Sequence, residues 1–239
     1  MTLCPHTGLF AVETLGCKAN QYDSQRLAEA LTDLGWRETA GTESPDVVLI
    51  NTCTVTTRCS RKCRQTVNRA VRDNPNARVF VTGCYATGFR DELEALDGVA
   101  GVYSRDEWDE LYRDVTGHRT PCPESLRGDF GIKAFSCRSR AMLKIQEGCN
   151  SYCSYCIVPY VRGEPRSQPL REVRVEAEGL AAAGFREIVI TGIHLGKYGE
   201  DLPGGPTLAE AVETVAGIEG VRRVRLSSIK ANEVTDELL

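Results

Sequence analysis

Along the chain, short runs of β-branched and other apolar residues alternate with longer stretches whose apolar positions recur every three or four residues. This pattern predicts strands each followed by a helix. LFAVETLG (9–16) leads to a helix near 20–34 stopped by Gly35, DVVLINT (46–52) to one near 59–73 stopped by Asn74-Pro75, and ARVFVTG (77–83) to one near 88–96. VAGVYS (99–104) reads as a fourth strand and 106–116 as its helix. Such alternation implies parallel strands joined by crossovers, so residues 9–117 are expected to form a small α/β domain with a doubly wound parallel sheet.

Residues 118–135 carry Pro121, Pro123, Gly128 and Gly131 and follow neither period, which marks a linker. Beyond it the alternation resumes, with strands at RAMLKIQEG (140–148), REIVITG (186–192) and VRRVRLSSI (221–229), and helices at 172–184 and 208–218. Three strands and two crossovers are too few to close a barrel, so 136–239 is expected to be an incomplete (β/α) barrel. ANEVTDELL (231–239) reads as the opening of a third helix.

Of 239 residues, 41 % are hydrophobic and 26 % charged, the balance of a soluble globular chain. The formal net charge of −4 gives no sign of wholesale nucleic-acid binding and confines any RNA contact to a local surface. No apolar run approaches the length of a membrane span and no basic-then-apolar leader opens the sequence, so a cytoplasmic location is expected. In that reducing compartment the eleven cysteines are expected to be ligands, nucleophiles or core residues rather than a disulfide framework.

Cys17, Cys53 and Cys84 each stand directly after a predicted strand, in VETLGC, VLINTC and VFVTGC. Parallel strands end on one edge, where α/β sheets bind ligands, so these three thiols are expected to converge. Taken singly, each would read as a small core residue. A second set, CxxxCxxC at Cys149, Cys153 and Cys156, follows the strand of 140–148. Three thiolates close in sequence can hold a cubane iron–sulfur cluster at three of its irons and leave the fourth open. Zinc with Cys137 or His194 as a fourth ligand is the alternative. Cys59 and Cys63 share one helix face and read as packing before ligation, while Cys4, Cys122 and Cys137 have no partner spacing. Arg58, Arg61, Lys62, Arg64, Arg69 and Arg72 make that same helix basic, as a solvated face or one that meets phosphate.

With an aromatic residue, Tyr155, before the last cysteine of CxxxCxxC, the sequence resembles the radical SAM enzymes. LKIQEGCNSYCSYCIVPYVRGEPRS (143–167), together with TLGCKANQYDS (14–24), NTCTVT (51–56) and VTGCYA (81–86), narrows the resemblance to the methylthiotransferases, over nearly the whole chain. TGIHLGKYGEDL (191–202) and RLSSI (225–229) are most similar to the branch acting on N6-threonylcarbamoyladenosine beside the tRNA anticodon. The isopentenyladenosine branch more typically has Gln-Asn where this chain has Ile193-His194.

The resemblance implies a transferase that inserts a methylthio group at C2 of that nucleoside, using two [4Fe–4S] clusters and S-adenosylmethionine. Cys149, Cys153 and Cys156 would hold the first cluster, whose open iron would chelate the cosubstrate for one-electron cleavage to a 5′-deoxyadenosyl radical. Cys17, Cys53 and Cys84 would hold an auxiliary cluster that carries the sulfur. Tyr155 would lie along the adenine, Gly192 would allow close approach of the methionine moiety, and His194 would touch substrate or cofactor. A loop aromatic shielding the cluster and a hydrogen-bonded structural histidine are the plainer readings of Tyr155 and His194. Arg162, Arg166 and Ser167 would meet phosphate or the modified base. Asn20, Gln21 and Asp23 would serve the auxiliary cluster, the substrate or the helix start.

Expected partners are tRNA, an electron donor such as a flavodoxin or ferredoxin, and a sulfur source, with no membrane. Family members usually continue into more barrel and a small RNA-binding domain, which is expected to be absent here. The rival readings are a methylthiotransferase of isopentenyladenosine tRNA or of a ribosomal-protein aspartate, and, outside that class, a non-catalytic Fe–S or zinc module that binds RNA.

Overall fold

In a computed structural model of the chain the described residues are 7–40, 43–117, 122, 123, 126, 128–135, 139–227 and 229–239, which leaves Cys4 and Cys137 outside them. The chain divides into two compact units, Met1–Gly128 and Asp129–Leu239.

The first unit is built on a parallel sheet of β1 (Leu9–Thr14), β2 (Arg37–Glu38), β3 (Val47–Thr52), β4 (Arg78–Gly83) and β5 (Val99–Val102), in the order β2-β1-β3-β4-β5. Between and after the strands run α1 (Lys18–Asp33), α2 (Thr57–Asp73), α3 (Cys84–Gly88), α4 (Arg90–Glu94) and α5 (Trp108–Thr116). Helices on both faces bury all six residues of β3. Val47 and Leu49 pack with Phe10, Leu27, Leu31, Trp108 and Leu111, whereas Val48 and Ile50 face Val67, Val79, Val81 and Leu93. α1 stops in a Schellman turn: Gly35, at φ 87°, donates to the Thr32 carbonyl and Trp36 to that of Leu31, and Trp36 joins Leu31 in the core. The chain winds outward from β1 to β2 and then crosses to β3 on the other side. The topological switch point therefore lies between β1 and β3, where doubly wound sheets open a ligand crevice at their carboxyl ends.

In the second unit β6 (Ala141–Glu147) leads through the short helix α6 (Val158–Arg162) to β7 (Arg166–Ser167), which returns antiparallel along β6. The crossovers α7 (Leu170–Ala182) and α8 (Leu208–Ala216) place β8 (Glu187–Gly192) and β9 (Arg223–Leu226) parallel to β6, giving the order β7-β6-β8-β9. Leu143, Ile145, Val173, Leu180, Ile188, Ile190 and Val215 form its fully buried interior. Thr207 and Glu210 close a capping box at the start of α8, each side chain accepting from the other's backbone N–H at 3.1 and 2.7 Å. The architecture is the α/β class that the alternation predicts: a doubly wound parallel sheet, then an open (β/α) sheet.

Details depart from the sequence reading. The helix near 88–96 is broken at Phe89 into α3 and α4, and α3 begins at Cys84 itself because Gly83, at φ 94°, turns the chain directly out of β4. ANEVTDELL forms one 3-10 turn over Ala231–Glu233 rather than a helix, with the Glu233 side chain drawn to His194 and Lys230. β2, β7 and α6 span two, two and five residues, too few for either periodicity to register.

Candidate functional site

The carboxyl ends of β1 and β3 carry Cys17 and Cys53, so these two cysteines flank the switch point, and Cys84 follows the neighbouring β4. Gly16, at φ 100°, presses its loop against Cys53: a Cβ there would stand 2.6 Å from Cys53 Cβ and 2.8 Å from its Sγ. Asn20 binds the two loops together. Its Nδ2 donates to the Leu15 and Thr52 carbonyls at 2.8 Å each, and its own carbonyl accepts from Asn51 Nδ2 at 2.9 Å. Cys84 Sγ lies 3.9 Å from Asn20 Oδ1. Asn20 is thus a buried tie within the first turn of α1, and the N-cap is Cys17, with no side-chain cap bond. Asp23 is buried on Arg105 at 2.8 Å, and Gln21 Oε1 is buried with no hydrogen-bond partner among the described residues.

Burial pushes the Cys53 thiol up to about 12; a backbone hydrogen bond from Val55 opposes this, and the nearby thiols of Cys84, Cys59 and Cys17 add to it. Cys63 is fully buried and donates to the Cys53 carbonyl at 3.1 Å, a packing role, while Cys59 is part-exposed at the start of α2, its N–H on the Thr56 cap. Of the basic residues on α2, Arg64 pairs with Glu92, Arg69 with Glu13 and Arg72 with Asp73; Arg58, Arg61 and Lys62 are exposed.

In the second unit Cys149, Cys153 and Cys156 line one cavity of about 270 Å³ together with Tyr155, Ile193, His194, Lys230 and Glu233. His194 is buried, its N–H held by Gln146 Oε1 at 2.6 Å; its Nδ1 faces Cys149 Sγ at 3.3 Å and its Nε2 faces Glu233 Oε1 at 2.5 Å. Burial alone would raise the Cys149 thiol, but hydrogen bonds from the Ser151 hydroxyl and backbone and from His194 outweigh it and hold the thiol below its usual range. Glu233, likewise opposed by burial, is held below the usual carboxylate range by His194 and Lys230. Tyr155 is 90 % exposed at the cavity edge. Gly192 ends β8, and a Cβ there would stand 2.9 Å from Gln146 Cβ and from Leu195 Cδ2, so its missing side chain is already explained by packing.

Arg162, expected at phosphate or base, is instead buried with its Nη1 on both oxygens of Glu147. Arg166 pairs with Asp129, and the Ser167 hydroxyl accepts from Gly199 N–H. Lys144, Glu147 and Glu233 went unnoticed in the sequence. The signal for the first two was there: charged residues in a strand, AMLKIQE, otherwise built for burial, with Glu147 immediately before Gly148-Cys149.

Three soft thiols on one cavity, with no fourth cysteine among the described residues lining it, suit a [4Fe–4S] cluster with one iron left for another ligand. Among the described residues no three of His, Cys, Asp and Glu gather as a single metal ion would require, and Cys137, one fourth ligand considered for zinc, lies outside them.

Residues 9–103 match the family described as "Uncharacterized protein family UPF0004", and 143–233 match the radical SAM superfamily. The chain is 39 % identical to the threonylcarbamoyladenosine tRNA methylthiotransferase MtaB of Bacillus subtilis over 96 % of its length, and 38 % identical to that of Chlamydia pneumoniae over 100 %. The chain belongs to the methylthiotransferase family of radical SAM proteins. It spans about half the length of these relatives, 53 % and 55 %. A tRNA-2-methylthio-N(6)-dimethylallyladenosine synthase of Caldicellulosiruptor saccharolyticus is 31 % identical over 96 % of this methylthiotransferase-family chain and 52 % of its own. The radical S-adenosylmethionine methyltransferase TsrM of Kitasatospora setae shares the fold, with a TM-score of 0.52 at 17 % identity over 92 % of this chain and 59 % of that one. Radical SAM domains work with S-adenosylmethionine and a [4Fe–4S] cluster. Among the described residues no helix is long and apolar enough to cross a membrane.

Proposed function

We propose that this chain carries the catalytic core of a tRNA methylthiotransferase that inserts a methylthio group at C2 of N6-threonylcarbamoyladenosine beside the anticodon. The observation that carries this reading is a CxxxCxxC cavity together with three further cysteines at strand ends, two of them flanking a topological switch point, in a chain aligned along its length with relatives bearing that name. Cys149, Cys153 and Cys156 hold one [4Fe–4S] cluster, and Cys17, Cys53 and Cys84 hold an auxiliary one. When bound, the first cluster and S-adenosylmethionine supply one-electron radical chemistry, and the second supplies the sulfur.

The chain's own residues position these groups. His194, itself fixed by Glu233 and Gln146, supports the Cys149 sulfur. Tyr155 offers an exposed ring to the cosubstrate at the cavity edge, and Gly192 keeps the β8 end close to β6. In the first unit Gly16 and Asn20 set the spacing of the loops that carry Cys17 and Cys53. The partners of this reading are tRNA, an electron donor such as a flavodoxin or ferredoxin, and a sulfur source, all in the cytoplasm.

Anaerobic reconstitution of the full-length protein is expected to give about eight irons per chain and deoxyadenosine on reduction. Nucleoside mass spectrometry of tRNA from a deletion strain is expected to show loss of the methylthio nucleoside and its return on complementation. Unchanged methylthio nucleosides would defeat the tRNA assignment, and bound zinc without iron would defeat the enzyme.

A further inference from the structure

The CxxxCxxC segment is the connection of a hairpin, with Gln146 opposite Ser167 and Glu147 opposite Arg166 on the paired strands β6 and β7. A connection running over 148–165 with only the short helix α6 inside it has much conformational freedom to lose. Its neck is fastened at three points. The Glu147 carboxylate, fully buried, accepts from Arg162 Nη1 at 2.8 and 2.9 Å, from Lys144 Nζ at 2.8 Å and from the Gly148 N–H at 3.1 Å. Cys149 N–H donates to the Gly163 carbonyl at 2.9 Å. Gly148 lies so close to the returning chain that a Cβ would fall 1.9 Å from the Glu164 carbonyl oxygen.

Lys144 and Arg162 are buried with Glu147. Charges withdrawn from water in this way add little net stability over apolar side chains filling the same space, so stability alone does not account for them. What they do contribute is a single, directional geometry at the residue that precedes Gly148-Cys149.

We infer that Glu147, gripped by Arg162 and Lys144, is a positioning residue that locks this neck, so that the loop holds Cys149, Cys153 and Cys156 in their cluster-binding arrangement before iron is bound. This rests on the reading of those thiols as cluster ligands. A loop already ordered does not have to be ordered by the cluster, so the neck acts on how tightly iron is retained as well as on the fold.

The first test needs no variant. In metal-free full-length protein the Cys149 amide, which donates across the loop to the Gly163 carbonyl, is expected to exchange within about tenfold of the β6 amides, and exchange at open-chain rates overturns the inference. The second test removes the charge and keeps the shape. Glu147→Gln, in a Cys53→Ala background so that only this loop's iron is counted, is expected to lose iron to a chelator about tenfold faster and to speed exchange of the Cys149 amide. Val173→Ala, which thins the same core away from the neck, is expected to lower Tm without speeding iron loss. No change in Glu147→Gln, or equal iron loss in both variants, overturns the inference. Should Glu147→Gln fail to fold, Arg162→Lys, which keeps a cation on Glu147, is expected to retain iron at an intermediate rate, and retention equal to wild type overturns the inference. A wild-type loop that takes up no iron defeats the cluster reading instead.

Discussion

The two cysteine triads are put together by opposite routes. Cys149, Cys153 and Cys156 lie within eight residues in a single hairpin connection, and local geometry brings them to one cavity. Cys17, Cys53 and Cys84 are drawn from three different strand ends and are set along one sheet edge only once the parallel sheet has paired. The first triad depends on a fastened neck, the second on a finished fold. Their electrostatics differ accordingly: Cys149 is held below the usual thiol range by its hydrogen bonds, while burial and neighbouring thiols push Cys53 up to about 12.

The largest effect that could break this comparison is expected from Cys156→Ala. It abolishes deoxyadenosine formation and leaves about half of the iron, held by the first unit. Loss of all iron from this single change would show that the triads do not load separately. Cys53→Ala is expected to do the reverse, keeping deoxyadenosine formation on reduction but ending methylthio transfer, as read by nucleoside mass spectrometry; a variant that still transfers the group would remove Cys53 from the sulfur-carrying site.

Asn20→Ala tests whether the triad of Cys17, Cys53 and Cys84 depends on the sheet. It deletes two hydrogen bonds that tie the β1 and β3 loops and takes the donor from the buried Thr52 carbonyl, at a cost of about 1–3 kcal/mol in chemical denaturation. Iron is expected to fall in the first unit and stay unchanged in the CxxxCxxC loop. The smallest effect is a difference in reactivity. The thiolate is the reacting form, so in metal-free protein iodoacetamide labelling followed by mass spectrometry is expected to reach Cys149 at a lower pH than an unperturbed thiol. Cys53 is expected to label only as pH rises well above 9. Labelling of both with one pH profile would erase the electrostatic difference.

Both sets of cysteines were legible because each follows a strand, and strands announce themselves by their β-branched runs. Arg162 shows where that legibility ends. In VRGEPRS it reads as a cation available to phosphate, yet the turn of α6 carries it back fifteen positions to Glu147, inside the protein. Asn20 likewise reads as a helix cap until the loop after β1 places it against Thr52, and Glu233 reads as helix until His194, thirty-nine positions earlier, takes its side chain. Polar pairings of this kind have no period, so hydrophobic patterning does not register them.

By itself, then, the sequence determined the α/β alternation, the two triads and the family they resemble, because periodicity and the spacing of ligands along the chain are local properties. Only the tertiary structure decided that Cys17 and Cys53 flank a switch point, that His194 rests between Cys149 and Glu233, and that Glu147 closes the cysteine loop. These facts depend on strand order and on side chains meeting in a low-dielectric interior, where a charge must find its partner in space rather than in sequence.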